Sequence, residues 1–357
     1  MGETNGDNKK KTAREIIENY NGPKVRIMEV CGTHTHEIFR LGIRKLLPEQ
    51  VELISGPGCP VCVTQVGFID EAIYLALERQ VTICTFGDLV RVPGTNMSLA
   101  GAREKGAKIR IVYSPVDAKE YAKEHPKEQV TFLSVGFETT TPSACLSVKK
   151  AREEGLTNYS ILTANKTMPQ AYEALKGSAD IFLYPGHVNA ITGTKLCEEL
   201  AKEGVSGVVA GFTAKELLTA LAVALARFQE GRPFFVNCYP RVVTENGSPQ
   251  AQKLIEEMME PCDSEWRGLG VIKGSGMRLQ EEWSAFDARK KYKIPPIQGK
   301  ANPACRCGDV LQGKCKPSDC KVFGKVCTPQ HPVGACMVSG EGACSAYYMY
   351  GEAEKMK

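Results

Sequence analysis

Short runs of β-branched and apolar residues alternate with helical segments through the first 240 residues, and this alternation constrains the fold more than any other feature. Parallel strands need a long crossover between them, and a helix is the usual crossover. The alternation therefore predicts an α/β fold in which parallel sheets carry helices on both faces. The predicted strands are 25–29, 51–55, 81–86, 109–113, 130–135, 181–184, 205–212 and 234–240.

The same order of elements repeats from about residue 129. The strand at 130–135 runs into Gly136-Phe137-Glu138, as the strand at 25–29 runs into Cys31-Gly32-Thr33. Unrelated βα units can also resemble each other in this way. The repeat nevertheless favours two similar parallel-sheet α/β domains whose strand-end loops face a cleft. The expected domains are residues 1–125 and 126–260, followed by a small cysteine-rich domain over residues 261–357.

Composition and charge exclude several classes of protein. The net charge of +4 is small for 357 residues, and no basic stripe with interleaved aromatic residues occurs, so no nucleic-acid partner is expected. The longest apolar stretch, 217–228, contains Thr219 and Arg227 and is too short to span a bilayer. The segment from Met1 to Thr12 is polar and lacks the apolar core of a secretory signal, which predicts a cytoplasmic location.

Fifteen cysteines are many for a chain expected in the cytoplasm. In a reducing compartment cysteines more often bind metals or react than form structural disulfides. Beyond Asn302 the chain has little apolar periodicity, so a metal or a cross-link has to hold this segment in place. Seven of the cysteines lie here, within the last 53 residues: Cys305, Cys307, Cys315, Cys320, Cys327, Cys336 and Cys344.

Cys31 lies between a predicted strand and a predicted helix, in the stretch Cys31-Gly32-Thr33-His34-Thr35-His36. Ligands bind at the carboxyl ends of strands in open α/β sheets, and a helix N-terminus favours a thiolate over a thiol. An inert buried cysteine is the alternative for a lone residue of this type. The two nearby histidines, His34 and His36, favour a reactive or metal-binding Cys31.

Three further strand-end loops carry candidate residues. The Cys59-Pro60-Val61-Cys62 loop fits either half of a zinc site or a dithiol that cycles to a disulfide, and the absence of a second Cys-x-x-Cys pair nearby favours the dithiol. The loop that contains Glu138 is rich in hydroxyl groups and is also compatible with a capped helix start. His187 is isolated, and an interior histidine without a chemical role is equally compatible with the sequence.

The spacing of the C-terminal cysteines is poor for zinc. Zinc sites use paired Cys-x2–4-Cys knuckles, and only Cys315 and Cys320 approach such a spacing here. Widely spaced thiolates with intervening Gly and Pro better suit an iron–sulfur cluster, which needs four of the seven candidates. A set of unrelated buried cysteines is the remaining alternative.

Taken in order, the motifs Cys31-Gly32-Thr33-His34-Thr35-His36, Gly58-Cys59-Pro60-Val61-Cys62 and Gly136-Phe137-Glu138-Thr139-Thr140, with the cysteine-rich tail, resemble the HypD family of [NiFe]-hydrogenase maturation factors. The resemblance covers roughly residues 20–350. It implies two α/β domains and a third domain that carries a [4Fe–4S] cluster. It also implies a redox-active scaffold, rather than a conventional turnover enzyme, on which the Fe(CN)2CO unit of the hydrogenase is built and transiently carried.

The resemblance also implies partners and residue roles. A HypC-type chaperone would bind the protein, a HypE-type protein would donate cyanide, and the hydrogenase large subunit would be an indirect partner of an otherwise monomeric scaffold. Cys31 would bind the iron together with a cysteine of the chaperone. His34 and His36 would tune the site, and Glu138 would face them from the second domain.

The family's cluster pattern, Cys-x14-Cys-x6-Cys-x16-Cys, assigns the remaining thiols. Cys307 and Cys336 would form a redox dithiol beside the cluster, and Cys59 and Cys62 would relay electrons toward the iron. Cys315 has no assigned role. The cluster ligands would be Cys305, Cys320, Cys327 and Cys344.

Two other functions stay open. The protein would be an iron–sulfur thiol–disulfide oxidoreductase if the dithiols reduce a partner protein. It would be a zinc hydrolase if Cys31, His34, Cys59 and Cys62 bind one zinc ion.

Overall fold

The computed structural model describes residues 11–351. Residues 1–10 and 352–357 lie outside the described residues, and with them most of the polar N-terminal segment interpreted above. Within residues 11–351, every helix is too short or too polar to traverse a bilayer.

Eleven strands occur in the described range, and eight of them match predicted strands. In chain order they are β1 (Val25–Glu29), β2 (Val51–Ser55), β3 (Thr82–Thr85), β4 (Ile109–Ile111), β5 (Val130–Gly136), β6 (Tyr159–Lys166), β7 (Ile181–Pro185), β8 (Ser206–Ala210), β9 (Phe235–Asn237), β10 (Met259–Trp266) and β11 (Gly270–Leu279).

Fifteen α-helices connect and cover these strands within residues 11–351. They are α1 (Ala13–Glu18), α2 (Gly32–Arg40), α3 (Pro60–Val63), α4 (Val66–Glu78), α5 (Leu99–Glu104), α6 (Pro115–Glu124), α7 (Thr141–Glu153), α8 (Met168–Ala174), α9 (Gly186–Thr192), α10 (Lys195–Lys202), α11 (Ala214–Phe228), α12 (Pro249–Met258), α13 (Ala288–Lys291), α14 (Cys307–Leu311) and α15 (Ala343–Tyr350). Short 3-10 turns lie at Ile43–Leu46, Gly87–Arg91, Glu281–Phe286, Pro317–Asp319 and Ala335–Met337.

The strands form two sheets of similar topology. The first sheet is parallel throughout, in the order β2–β1–β7–β8–β9. The second has the order β10–β11–β6–β5–β3–β4, in which β3 to β6 are parallel and the β10–β11 hairpin is antiparallel. Counted in chain order, the parallel strands of each sheet begin 2-1-3-4, which is a doubly wound arrangement. The predicted α/β class with parallel sheets is confirmed.

The two sheets do not follow the predicted division of the chain at residues 125 and 126. β1 pairs with β7, so the first sheet combines strands from both predicted domains, and β3 pairs with β5 in the same way. The chain crosses from the first sheet to the second after β2 and returns after β6. Strand pairing depends on the burial of complementary faces and not on proximity in sequence, so a boundary drawn from a local repeat misses it.

Three strands, β6, β10 and β11, differ from the expectation. β6 is not among the predicted strands, because its polar Ser160, Thr163 and Asn165 hide a strand that is buried along its whole length. The β10–β11 hairpin occupies part of the expected cysteine-rich domain and extends the second sheet. After β11 the chain forms the 3-10 turn at Glu281–Phe286 and then the short α13.

The described part of the cysteine-rich segment packs into cores that it shares with the sheets. Cys336 and Leu311 belong to a core that also contains Met28 of β1 and Phe137 after β5. Ala335 lies in a second core, with residues of α4 and β3. An independent third domain is therefore not confirmed, and residues at the carboxyl ends of both sheets meet in the first of these cores.

Candidate functional site

The carboxyl ends of β1 and β7 form the topological switch point of the first sheet. The chain passes from β1 to β2 on one side and from β7 to β8 on the other, so the loops after these strands diverge. Cys31 follows β1 and is the N-cap residue of α2, and His187 lies in the first turn of α9, directly after β7. The strand order thus places His187 at the same crevice as Cys31.

The loop that contains Cys31 packs tightly against the loop that contains Cys59 and Cys62. The backbone N–H of Gly32 donates to the carbonyl oxygen of Gly58 at 3.0 Å. A side chain on Gly58 would overlap the backbone of Cys31, so only glycine permits this approach. A side chain on Gly32 would lie 3.1 Å from the Cβ of Cys59. The two loops predicted to carry the chemistry are therefore in direct contact.

Burial decides the protonation of Cys31. Desolvation raises the pKa of the Cys31 thiol to about 12, and the backbone N–H groups of His34 and Thr33 offset only part of this effect. These N–H groups face the sulfur without forming a capping hydrogen bond. The prediction that the helix N-terminus favours a thiolate here is wrong for the protein alone, since the loss of water outweighs the helix dipole.

His34 is fully buried and neutral. Burial lowers its pKa to about 4, and its Nε2 lies 3.1 Å from the carbonyl oxygen of Gly211. Because a carbonyl oxygen only accepts, Nε2 carries the proton and Nδ1 is left as an acceptor. Nδ1 has no hydrogen-bond partner among the described residues. The ring of Phe212 stacks on both His34 and His187, at centroid distances of 4.8 and 3.9 Å.

Glu341 joins the cysteine-rich segment to α2 and was missed by the sequence analysis. Its Oε1 accepts a hydrogen bond from the hydroxyl of Thr33 at 2.6 Å. The neighbouring carbonyl oxygen of Gly340 lies 2.9 Å from Nδ1 of His36. The charge of Glu341 also acts on the pKa of His187, after burial, which lowers that pKa. The signal in the sequence is weak, a single carboxylate between two glycines.

Glu138 lies at the corresponding strand end of the second sheet, directly after β5. Its Oε1 accepts a hydrogen bond from the backbone N–H of Met168 at 2.8 Å, and burial raises its pKa to about 7. Its Oε2 and the hydroxyl of the buried Tyr172 have no partner among the described residues. After burial and Cys197, the nearby Glu138 further raises the pKa of Tyr172. Glu138 and Tyr172 thus each place a polar atom without a described hydrogen-bond partner in the protein interior.

Two pairs of cysteines touch each other between the sheets. The sulfurs of Cys59 and Cys62 lie 2.7 Å apart, and those of Cys307 and Cys336 lie 2.7 Å apart. Each pair needs only a small movement to reach the bond length of a disulfide, about 2.05 Å. The Cys336 side chain also acts directly on the Cys62 thiol, although burial is the larger influence and raises the pKa of Cys62. The two dithiols therefore lie close together in the same core.

A cavity beside Cys307 and Cys336 brings the predicted cluster ligands together. A side chain on Gly334, which also lines this cavity, would overlap the Cys305 sulfur, so the glycine leaves room for that thiol. Cys315 lines a separate groove beside β2. The predicted ligands Cys305, Cys320, Cys327 and Cys344 all line the cavity.

Within residues 11–351, no three Cys, His, Asp or Glu side chains converge as ligands of a single metal ion. This arrangement gives no support to a zinc site made of Cys31, His34, Cys59 and Cys62. A cuboidal iron–sulfur cluster is a different case, because its four thiolates bind four separate irons and do not point at one centre. The cysteines around the cavity are compatible with that second kind of site.

Fold and site together define a thiol-rich α/β protein, with two doubly wound sheets whose strand ends converge on buried cysteines. Residues 7–351 match the family model HypD, described as the hydrogenase formation hypA family. The chain belongs to this family.

Curated relatives of the same family align along most of their length. The chain is 42% identical over 343 residues to the hydrogenase maturation factor HypD of Cupriavidus necator, covering 92% of this chain and 90% of the relative. It is 44% identical over 339 residues to HypD of Rhodobacter capsulatus and 43% identical over 338 residues to HypD of Escherichia coli, each with 92% and 90% coverage. The predicted family resemblance is confirmed.

Proposed function

We propose that the protein is a hydrogenase maturation scaffold on which the Fe(CN)2CO unit of [NiFe]-hydrogenase is assembled. One observation carries this proposal: the Cys307/Cys336 pair beside the cavity and the Cys59/Cys62 pair lie in one core, and Cys59 packs on the loop of Cys31. Such an arrangement connects a site for electrons with a site for a metal. The number of unpaired thiols suits the reducing cytoplasm.

The cavity is proposed as the site of a resident [4Fe–4S] cluster. Its donor set consists of thiols, which are the ligands such clusters take, and Gly334 leaves space for one of them. When bound, the cluster would supply and accept single electrons. The four residues that would hold it are Cys305, Cys320, Cys327 and Cys344.

The two dithiols would pass reducing equivalents by thiol–disulfide exchange. The Cys336 thiolate attacks the Cys62 sulfur of a Cys59–Cys62 disulfide, which breaks that bond and releases the Cys59 thiolate. Cys307 then attacks Cys336 and releases Cys62. The products are a Cys307–Cys336 disulfide and a Cys59/Cys62 dithiol, and the two protons of the first pair end on the second.

Cys31 would bind the iron of the cargo. Iron that carries cyanide and CO is low-valent and accepts a soft thiolate. In the protein alone, burial favours the neutral thiol of Cys31. A bound iron cation would stabilise the thiolate, because a thiol that coordinates a metal loses its proton. The neutral His34 and the tethered His36 would line the site of the cargo, and Glu138 would face them from the second sheet.

The proposed partners would act at the strand-end crevice that contains Cys31 and His187. A HypC-type chaperone would share the iron with Cys31, and a HypE-type protein would donate cyanide. The hydrogenase large subunit would receive the finished unit indirectly. Outside these complexes the protein would be a monomer.

The contact between the two dithiols also favours a second candidate, an iron–sulfur thiol–disulfide oxidoreductase that reduces a partner protein. Iron content and infrared bands distinguish the two candidates. The scaffold carries more than four irons per chain and shows bands of metal-bound cyanide and CO, whereas the oxidoreductase carries four irons and shows no such bands.

The decisive experiment replaces Cys31 in the complex with the chaperone. The Cys31→Ala protein, isolated anaerobically, is expected to keep its fold and its visible cluster absorption but to lose the cyanide and CO bands, because the iron loses its thiolate. Cys262→Ala, a cysteine on β10 away from the relay, is the matched control and should keep the bands. Retention of the bands in Cys31→Ala would leave the oxidoreductase as the better candidate.

A further inference from the structure

The outer wall of the cysteine cavity is a tight turn at residues 322–327. The backbone N–H of Cys327 donates to the carbonyl oxygen of Val322 at 2.8 Å, and that of Gly324 donates to Cys327 at 3.0 Å. Val322, Phe323 and Cys327 line the cavity, whereas Lys325 and Val326 point outward. The solvent-facing side of this turn is therefore one residue layer from the cavity.

Apolar side chains are exposed on this wall. Val326 is 65% exposed, Tyr348 37% and Met349 46%. The ring of Tyr348 contacts the cavity-lining Phe323 edge-on, at a centroid distance of 6.1 Å. The neighbouring Tyr347 turns inward to Phe39 of α2, so α15 packs with one face and presents the other to solvent. Clusters of exposed large apolar residues mark interaction sites on soluble proteins.

The segment that contains the turn carries a positive net charge. Residues 305–331 contain five Lys and Arg and two Asp, a net charge of +3 out of +4 for the whole chain. Arg306 and Asp309 form an ion pair at 2.9 Å. Lys321 and Lys325 are exposed and form no ion pair with another described residue. We call Lys321, Lys325, Val326, Tyr348 and Met349 the basic face.

We propose that the basic face docks an acidic electron-transfer protein, which delivers electrons to the cavity. The charge of the face selects a partner of opposite sign, and its apolar centre supplies a small, short-lived contact area of the kind that redox partners use. This inference rests on the proposed function, because it requires a cluster in the cavity.

The docking reaction is balanced in electrons and protons. Each docking oxidises the carrier by one electron and reduces the cavity site by one. Two dockings and two protons from solvent convert one Cys307–Cys336 disulfide into two thiols. Val322, Phe323 and Cys327 of the turn line the cavity, so the carrier docks beside the site that it reduces.

The test measures anaerobic reduction of the holoprotein by stopped-flow absorbance, with reduced plant-type [2Fe–2S] ferredoxin as the probe. The variant Lys321→Glu/Lys325→Glu reverses the charge of the face. Lys195→Glu/Lys202→Glu on α10 changes the net charge equally at a distant exposed site and serves as control. At low ionic strength we expect the second-order rate constant to fall roughly tenfold in the first variant alone.

Two further measurements sharpen the result. The difference between the variants should shrink in high salt, because screening removes the steering. Tyr348→Ser should slow reduction at every salt concentration, because it removes apolar contact and not charge. Dithionite, a small reductant that needs no docking, should reduce all variants at the same rate.

Each contrary outcome has one meaning. Equal rates with ferredoxin in the face variant and the control overturn the docking inference and leave the proposed function intact. Loss of chaperone binding in the face variant, with an unchanged rate, assigns the face to the chaperone and also overturns it. A holoprotein without cluster absorption overturns the proposed function and the inference together.

Discussion

Glu138 shows how one buried carboxyl group sets a local pH dependence. Burial raises its pKa from 4.5 to about 7, and only one of its oxygens is hydrogen-bonded among the described residues. The folded protein therefore holds this proton more strongly than the unfolded chain does. The resulting stabilisation is complete below about pH 4.5 and is lost as the pH rises through about 7.

Glu138→Gln is expected to remove this pH dependence, because glutamine keeps the oxygen that accepts from Met168 but does not ionise. The difference between 4.5 and about 7 corresponds to roughly 3 kcal/mol. Compared with the variant, the wild type should lose about that much unfolding free energy between pH 4.5 and 8. Urea unfolding in reducing buffer across this range measures it. Parallel curves for the two proteins would contradict the assignment.

At the scale of elements, a buried ion pair holds β1, β2 and α2 together beneath Cys31. Glu29 of β1 is fully buried and pairs with Arg44 at 2.5 Å. Its other oxygen accepts hydrogen bonds from Thr35 of α2 at 2.7 Å and Ser55 of β2 at 3.2 Å. Arg44 also donates to the carbonyl oxygen of Leu53. The strand end that carries Cys31 is therefore fixed from three sides.

Arg44→Ala should destabilise the protein by about 3–5 kcal/mol, because it leaves the buried Glu29 carboxylate without a cation. Arg40→Ala, at the last residue of α2, is the matched control. The Arg40 side chain is 49% exposed, so water solvates its charge with or without its partner Glu37, and its removal should cost much less stability. Chemical unfolding of the two variants provides the comparison, and similar losses would contradict the structural role assigned to Glu29.

Elements and site were predictable to different degrees. Strands such as β1, β2 and β7 are short apolar runs with helices after them, and their local pattern is sufficient to locate them. β6 has no such pattern, since Ser160 and Asn165 find hydrogen-bond partners inside the protein and not in solvent. The pairing of β1 with β7 joins residues about 154 positions apart, and no local feature of the sequence encodes it.

The residues of the site were likewise predictable where the signal is local and not where it depends on distant contacts. Cys31 and Glu138 were identifiable because each follows a strand that the sequence predicts. Glu341 was not, because it meets Thr33 across 308 residues of chain. The protonation of Cys31 was mispredicted for a related reason: the helix N-terminus is visible in the sequence, but the burial that outweighs it arises from the whole fold.

At the scale of the whole molecule, the cysteine-rich segment and the two sheets share their cores. Cys336 packs with residues from both sheets, and Ala335 packs with α4. Loss of the proposed cluster should therefore loosen the centre of the protein as well as the segment itself.

Cys320→Ser is expected to abolish the visible absorption of the cluster, since it removes one of four proposed ligands. Hydrogen exchange should then accelerate at residues 300–350 and also at α3, which contacts the 3-10 turn at Ala335–Met337. Cys307→Ala, which removes a thiol of the adjacent dithiol, should keep the absorption. The ligand assignment is wrong if these two variants exchange behaviour.

Because the chain alternates between the two sheets, the strands of each sheet leave the ribosome at different times. β1 and β2 are complete at residue 55, but their neighbour β7 begins at residue 181, a gap of 126 residues. At 5–20 residues per second, a ribosome takes roughly 6–25 s to cover it. The four parallel strands of the second sheet emerge within that interval. The second sheet therefore pairs its parallel strands first, although its first strand is synthesised later. The crevice around Cys31 forms only when the chain returns, and its cysteine-rich wall arrives last of all.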